Sequence, residues 1–305
     1  MKFRGHETFF IRKGWLGKGL KHIAKNPAVF VSKDENPMDV LGIGSNMVKS
    51  LRYWMQAVGL SKEPKSGRRM QTRTGWGDLI YQFDRYVEEV GTLLLLQYRL
   101  ATNKAMATAW YFFFQKFNMQ EFTRDDFMRS LRSYVAMTDS EQELSERSIS
   151  DDFNCIVNTY VPRYRLSNEG SNPENNIDCP FGELGLMDMV GSDKRLYCKS
   201  VPLVENFAPN ITVALLMEQM KVTGRLGCEI NMEQVLTGQN GLGRVFNLDS
   251  LSLLEILRRA EAAKLLKLHR TAGLDTVEVL FAGSVEDCIR DYYLGLENGF
   301  EEEVR

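Results

Sequence analysis

The sequence predicts a mainly α-helical protein with small β-hairpins, built from tandem winged-helix or helix-turn-helix-like units. Apolar residues recur at helical spacing along much of its 305 residues. A glycine-containing turn at residues 42–44 separates two short helical segments, which is typical of a helix-turn-helix. Strand-forming runs are short and look like hairpins, which argues against long parallel sheets, Rossmann folds and barrels.

Three helices outside that motif have clear local signals. Residues 14–25 repeat apolar side chains at helical spacing and are followed by an Asn-Pro pair that can end the helix. Residues 110–117 form a dense aromatic run, expected to pack in the core. Residues 125–135 follow Thr123, a suitable N-cap. The side chains expected to face inward from the first helix are Leu16, Leu20 and Ile23.

The predicted helix-turn-helix consists of a short helix after Asn36, the glycine turn, and a second helix over residues 46–58. Ser45 can cap this second helix and Gly59 can end it. One face is apolar: Met47, Val48, Leu51, Trp54, Met55 and Val58. The opposite face presents residue types that bond base edges and phosphates, namely Asn46, Lys49, Arg52, Tyr53 and Gln56.

A basic segment after this helix is predicted to be the wing of the first winged helix. It carries Lys65, Arg68, Arg69 and Arg73 and leads into residues 74–77, so its cations are placed to contact phosphates. The alternative is an ordinary amphipathic helix at residues 46–58 with a solvated basic face.

A second winged-helix-like unit is predicted near the C-terminus. Asp249 can cap a helix that points Leu251, Leu254 and Leu257 inward. Two strands follow, over residues 265–269 and 277–281, with local positive charge from Arg258, Arg259, Lys264, Lys267 and Arg270. Such units also serve dimerisation, so both DNA contact and a homodimer are open at this end.

These elements divide the chain into four expected segments. Residues 1–100 form a basic winged-helix DNA-binding domain with a metal site, and residues 101–165 form a helical middle domain. Residues 166–230 are a linker and helical connection, beginning in a stretch at 163–180 that is rich in Asn, Ser, Gly and Pro. Residues 231–305 form the C-terminal winged-helix-like domain.

Charge is distributed unevenly along the chain. Residues 1–75 hold 15 of the 38 Lys and Arg residues but 5 of the 40 Asp and Glu residues. A basic N-terminal region on an acidic body favours binding to double-stranded DNA, although the basic patch could instead dock onto the acidic remainder. Further phosphate contacts are expected from Arg4, Arg12, Lys13 and Lys18.

Composition excludes several classes of protein. The chain is 44% hydrophobic and 26% charged, unlike disordered or collagen-like sequences. It lacks an apolar run of ~18 residues that could span a bilayer, and its start has no secretory apolar segment, so no membrane partner is expected. Five widely spaced cysteines suit reduced thiols in the cytoplasm. P-loop, zinc-finger and Gly-x-Ser-x-Gly patterns are also missing.

Acidic residues inside the basic region are the candidates for catalysis. Asp34, Glu35 and Asp39 are predicted to hold Mg²⁺, which would polarise a phosphodiester and activate water. His6 and Glu7 could add a base or another ligand, and Lys33 could stabilise the pentacovalent phosphate. The alternative is structural: Asp34 or Asn36 caps the following helix, and Asp39 offsets nearby lysines.

Two long motifs resemble an SspB-like bacterial family, formerly labelled as a domain of unknown function. They are GHETFFIRKGW at residues 5–15 and KDENPMDVLGIGSNM at residues 33–47. The resemblance extends over most of the chain and is densest in residues 3–60. It implies a DNA-nicking component of DNA phosphorothioation and phage-defence operons, which opens one strand so that sulfur can replace a phosphate oxygen. The implied partners are a cysteine desulfurase, a PAPS-reductase-like or ATP-pyrophosphatase-like protein, and an ATPase.

The sequence therefore predicts a Mg²⁺-dependent DNA-nicking endonuclease. Two other functions stay open. One is a non-catalytic DNA-binding adaptor that recruits the sulfur-transfer enzymes, and the other is a transcriptional regulator with two winged helices.

Overall fold

Helices dominate the part of the chain that the computed structural model describes. That part comprises residues 1–64, 67, 69–139, 141–142, 144–162, 179–191, 195–222, 229–271 and 274–303. Its strands are short and form small antiparallel sheets. The predicted fold class, mainly α with small β elements, is confirmed at this level.

The N-terminal part alternates helices with one small hairpin. Its elements are α1 Trp15–Lys25, α2 Pro37–Leu41, α3 Ser45–Ala57, β1 Ser61–Lys62, β2 Thr72–Arg73, α4 Gly75–Phe83, α5 Val90–Thr102 and α6 Thr108–Gln115. Strand β1 pairs antiparallel with β2, with Ser61 opposite Arg73.

The rest of the described chain contains two three-stranded sheets. Its elements are β3 Glu121–Thr123, α7 Arg124–Thr138, α8 Glu146–Tyr160, β4 Met187–Met189, β5 Leu196–Lys199, α9 Pro209–Val222, β6 Glu229–Asn231, α10 Met232–Thr237, α11 Leu242–Val245, α12 Ser250–Ala262, β7 Leu266–Thr271, β8 Leu274–Val279 and α13 Val285–Glu303. Short 3₁₀ helices lie at Pro180–Leu184 and Val204–Asn206. The sheets have the strand orders β3-β5-β4 and β6-β8-β7, so they are larger than the isolated hairpins that the sequence predicts.

Helices α5 and α6 lie in the hydrophobic core. Leu93–Leu96 of α5 have no exposed surface, and all eight residues of α6 are buried. The aromatic run therefore packs inside, as predicted. One polar path crosses this core: the Tyr160 hydroxyl donates to Gln97 Oε1 at 2.6 Å, and Gln97 Nε2 donates to the Val245 carbonyl at 3.2 Å.

Local sequence signals locate several helix ends. Helix α1 ends at Lys25 with Leu16, Leu20 and Ile23 buried, as predicted. Thr123 forms a capping box with Asp126 at the start of α7, an arrangement that stabilises a helix by about 1 kcal/mol. Asp249 caps α12 by accepting from the Ser252 amide at 2.7 Å.

Some predicted details differ from the structure. Gly44, not Ser45, is the N-cap of α3, and Ser45 is the first helical residue. No side chain makes a capping hydrogen bond at this end of the helix. Leu251 is 77% exposed, because Leu253, Ile256, Leu257 and Ala260 form the buried face of α12 instead. The predicted loop over residues 163–180 lies almost wholly outside the described residues, and Pro180 begins a 3₁₀ helix. None of the described helices has the length and apolarity to cross a membrane.

Candidate nucleic-acid interface

The outward face of α3 and the first residues of the chain enclose a groove of about 390 Å³. We call it the α3 groove, and its lining residues are Lys2, Gly5, Glu7, Lys49, Arg52, Tyr53, Gln56, Glu63, Arg69 and Met106. Six of these are predicted site residues, which the structure therefore brings together: Glu7, Lys49, Arg52, Tyr53, Gln56 and Arg69. The others, including the charged Lys2 and Glu63, were not predicted.

The loop before α1 is held on α8 by a buried histidine–aspartate pair. His6 and Asp152 are 0% and 1% exposed, and His6 Nε2 lies 2.6 Å from Asp152 Oδ1. The Thr8 amide donates to His6 Nδ1 at 3.1 Å, so the ring proton is on Nε2 and points to the carboxylate. The Arg4 amide donates to the same carboxylate oxygen at 2.9 Å.

This loop has an unusual backbone. Arg4, Glu7 and Thr8 have φ values of 55°, 51° and 68°, in the left-handed region that non-glycine residues rarely adopt. Such conformations cost of order 1–3 kcal/mol each and persist where the surrounding contacts impose them. The His6–Asp152 pair supplies that constraint and presents Glu7 to the α3 groove.

His6 therefore lies in the core and not in the groove, contrary to its predicted catalytic position. Its ring stacks on Trp54 with centroids 6.0 Å apart and meets the edge of Trp110 at 5.6 Å. Both ring nitrogens are hydrogen-bonded inside the protein, so the side chain holds the loop in place. The sequence missed this because Asp152 is 146 residues away along the chain.

Tyr53 forms the floor of the groove and is buried, not on the exposed face of α3 that the sequence predicts. It is 5% exposed because the N-terminal segment covers this part of α3, and burial raises the pKa of its hydroxyl well above the ordinary value. A Cβ atom on Gly5 would lie 2.5 Å from Tyr53 Cε2, so glycine is needed at this contact. The Lys2 ammonium lies 5.1 Å from the centre of the Tyr53 ring.

Arg52 makes a bidentate ion pair inside the groove. Its Nε and Nη2 atoms donate to the two Glu63 carboxylate oxygens at 2.9 and 2.6 Å. The two side chains are 21% and 14% exposed. The Arg52 carbonyl also accepts from the side-chain Nε2 atoms of Gln56 and Gln71 at 3.1 and 2.9 Å, which fixes this turn of α3 against the β1–β2 hairpin.

Two predicted cations stay exposed at the groove. Lys49 Nζ donates to Asn46 Oδ1 at 3.3 Å, and both side chains are exposed on α3. Arg69 is also exposed. Arg68, predicted beside it, lies outside the described residues. Lys49 and Arg69 are thus available to contact phosphates.

Two further predicted cations form ion pairs. Arg4 Nε lies 2.8 Å from Asp151 Oδ2, and Arg73 Nε lies 2.7 Å from Asp78 Oδ1. The Arg73 guanidinium also lies 4.5 Å from the centre of the Tyr81 ring. Both acids lie outside residues 1–75, so these contacts partly neutralise the basic region with acids from the rest of the chain.

The cations near the start of α1 also have partners. Arg12 lies 5.7 Å from the centre of the Trp15 ring, and Lys13 Nζ lies 3.7 Å from Glu88 with both side chains largely exposed. Lys18 Nζ donates to the Leu41 carbonyl at 2.9 Å, at the end of α2. None of these three residues lines the α3 groove.

The acidic turn before α2 is exposed. Lys33, Asp34 and Glu35 lie on the surface, and Asp39 is exposed in the first turn of α2. Asn36 caps α2 by accepting from the Met38 amide at 3.2 Å, which is the structural alternative drawn from the sequence. Across the described residues, no three His, Cys, Asp or Glu side chains are grouped to hold a metal ion, so Asp34, Glu35 and Asp39 do not form a three-ligand site.

Residues 3–293 match the family described as DUF4007, protein of unknown function. The chain belongs to DUF4007. This match covers nearly the whole length, including helix α3 and the C-terminal sheet. A search of curated proteins gave no match.

Solved structures of SspB are similar to this DUF4007 chain over almost its full length. One is the SspB crystal structure, with 28% identity, a TM-score of 0.82, and coverage of 97% of this chain and 87% of the other. Another is the magnesium-ion-bound SspB crystal structure, with 27% identity and the same TM-score and coverage. The SspB-like resemblance carried by the two sequence motifs is thereby confirmed.

Sequence reasoning missed Lys2 and Glu63 in the groove of this DUF4007 chain. Lys2 had no helix or motif to place it, because the N-terminal residues reach α3 only through tertiary contacts. Its amide donates to Thr108 Oγ1 at 2.9 Å, which fixes the chain start near α6. Glu63 was visible in the sequence as an acid in a basic segment, and that contrast was a usable signal.

Proposed function

We propose that this chain binds double-stranded DNA through the α3 groove and nicks one strand in a Mg²⁺-dependent reaction. We place this reaction in DNA phosphorothioation and phage defence, beside a cysteine desulfurase, a PAPS-reductase-like protein and an ATPase. The observation that carries the proposal is the likeness to SspB along 97% of the chain. The motifs at residues 5–15 and 33–47 carry the resemblance to the SspB-like family, and that resemblance implies this modification.

Duplex binding is supported by the chemistry of the groove. The exposed side chains of Lys49 and Arg69 would contact phosphates, and Asn46 and Gln56 on α3 can bond base edges. The chain order of α2, the glycine turn, α3 and the β1–β2 hairpin is compatible with the winged-helix unit that we propose. In this proposal α3 is the recognition helix and the hairpin is the wing.

Magnesium is supported by the Mg²⁺-bound SspB neighbour. Mg²⁺ is commonly held by one or two carboxylates together with substrate phosphates. We assign one or two of Asp34, Glu35 and Asp39 to such a shared site, because all three side chains are exposed. When bound, the ion would polarise the phosphodiester that is cleaved.

The chain's own residues would supply the remaining chemistry. Glu7 lines the α3 groove, and we assign it the role of accepting a proton from the attacking water. Lys33, in the exposed turn, would offset the negative charge that develops on the phosphate. His6 holds Glu7 in position through its bonds to Asp152 and Thr8.

The test is a plasmid-nicking assay. Supercoiled DNA should become open-circular with Mg²⁺ and remain supercoiled with EDTA. The double variant Asp34→Ala with Glu35→Ala should lose this activity while still binding DNA. The matched control, Glu233→Ala with Glu255→Ala, removes two exposed acids from α10 and α12 and should nick normally. Undiminished nicking by the Asp34/Glu35 variant would eliminate the proposed metal ligands.

A non-catalytic DNA-binding adaptor is the second candidate function. It is favoured by the burial of His6, whose two ring nitrogens are engaged inside the protein. An adaptor should bind DNA with an affinity that falls steeply as salt rises, and should leave the plasmid supercoiled at every Mg²⁺ concentration. The adaptor function would be excluded if the purified wild-type protein breaks DNA strands and the identically purified Asp34→Ala, Glu35→Ala variant does not.

A further inference from the structure

The α3 groove contains one of the chain's own anions, Glu63, paired with Arg52, and a second cation, Lys2, lines the same groove. Arg52 grips both oxygens of Glu63 in the planar, two-bond arrangement that arginine also uses for phosphate. Glu63 is largely enclosed, with 14% of its side chain exposed. The carboxylate therefore sits where an anion entering the groove would meet the guanidinium.

Lys2 is the second cation at this position. It lines the same groove, and its ammonium lies 5.1 Å from the centre of the Tyr53 ring. Partial burial lowers the pKa of Lys2, the nearby Arg52 charge lowers it further, and Glu63 raises it. The charges of both Arg52 and Glu63 therefore affect the pKa of Lys2.

We propose that Lys2 and Arg52 form a phosphate-binding subsite of the α3 groove, and that Glu63 occupies this subsite until a DNA phosphate displaces it. The inference rests on the proposed DNA binding and adds a built-in competitor to it. A phosphodiester carries one negative charge and two free oxygens, as a carboxylate does, so it can replace Glu63 on the guanidinium fork.

Such an exchange selects for polyanions. A single phosphate ion gains little binding free energy by replacing a carboxylate that belongs to the same chain. A duplex also contacts Lys49 and Arg69, and these added contacts offset the loss of the Arg52–Glu63 pair. Glu63 therefore suppresses binding of small anions and weakens contacts with DNA that engages only part of the groove.

The experiment measures binding of a labelled duplex to the full chain by fluorescence anisotropy at several salt concentrations. Glu63→Gln removes the charge but keeps the shape, and it should bind on the order of 10-fold more tightly. The slope of log affinity against log salt should become steeper by about 1, for one added phosphate contact. Glu233→Gln, which makes the same charge change at an exposed position of α10, should bind as the wild type does.

Two further variants separate displacement from other effects of Glu63. Glu63→Asp keeps the charge but is one methylene too short for the two-bond contact, so it should also bind more tightly than the wild type. Glu63→Gln combined with Arg52→Ala should show no gain over Arg52→Ala alone. Thermal unfolding of each variant checks that it is folded.

The outcomes distinguish this inference from the proposed function. Weaker or unchanged binding by folded Glu63→Gln overturns the subsite, because a carboxylate that merely orients Arg52 would help DNA binding. A gain that survives in the Arg52→Ala background also overturns it. If neither the wild type nor any Glu63 variant binds DNA, the proposed DNA-binding function fails as well.

Discussion

Two histidine–carboxylate pairs in this molecule have the same length and very different surroundings. His6 Nε2 lies 2.6 Å from Asp152, and His269 Nε2 lies 2.6 Å from Glu278. The first pair has side-chain exposures of 0% and 2%, the second 36% and 38%. When a substitution removes its partner, a buried polar group is left without a hydrogen bond, whereas an exposed group bonds to water instead. Two hydrogen bonds of equal length can therefore contribute very differently to the free energy of unfolding.

The two pairs also differ in what depends on them. His6 and Asp152 fix the strained loop before α1, and the same carboxylate receives the Arg4 amide. His269 and Glu278 lie on adjacent strands, where β7 and β8 are already joined by six paired positions. The first pair thus links distant parts of the fold, and the second adds to a ladder that exists without it.

The largest expected effect comes from breaking the buried pair. Asp152→Ala should lower the free energy of unfolding by about 3–5 kcal/mol, because it leaves His6 and the Arg4 amide without an acceptor in the core. Asp152→Asn should lose less, since its amide oxygen can still accept from both groups. Chemical denaturation followed by circular dichroism measures this. A loss under about 1 kcal/mol in Asp152→Ala would show that the pair is dispensable.

The His6–Asp152 pair is an example of a contact that the sequence could not predict. Helix α1 and the capped start of α7 follow from local spacing and capping chemistry, as does the polar face of α3 that lines the groove. The partners of that face do not: Asp152 is 146 residues from His6, and only tertiary packing makes them neighbours. The same packing buries Tyr53, which sequence spacing alone assigned to the exposed face.

Lys199 is a third ionisable group to set beside the two histidine pairs. It is buried, as His6 is, but its partners are neutral carbonyl oxygens. Its Nζ donates to the Phe113 and Phe117 carbonyls at 2.7 and 2.5 Å. Burial lowers its pKa to about 7, and the nearby Arg244 charge adds to this. These carbonyls lie at the end of α6, so Lys199 closes the C-terminus of the aromatic helix.

This lysine predicts a pH dependence of stability. The unfolded chain keeps a lysine pKa of about 10.4, so between about pH 7 and 10 it binds a proton that the folded chain does not. The free energy of unfolding should therefore rise with pH across this window, by at most about 1.4 kcal/mol per pH unit from this residue. Below about pH 7 both states are protonated and the contribution stays at its minimum.

Lys199→Met tests this by removing the titrating group. At pH 7 the variant should lose about 1–3 kcal/mol, because two buried carbonyls lose their donor. Its unfolding free energy should also rise less steeply with pH than that of the wild type. Lys267→Met, which changes an exposed lysine on β7, should keep the wild-type slope. If the unfolding free energy rises equally steeply with pH in all three proteins, a group other than Lys199 is responsible for the pH dependence.

The exposed pair gives the smallest expected effect. His269→Ala should change the free energy of unfolding by less than about 1 kcal/mol, because water replaces the lost hydrogen bond and the β7–β8 ladder remains. The same denaturation assay, run beside Asp152→Ala, compares the two pairs directly. A loss in His269→Ala as large as that in Asp152→Ala would mean that burial does not set the difference. The contribution of each pair would then have to come from the strands and loops that it joins.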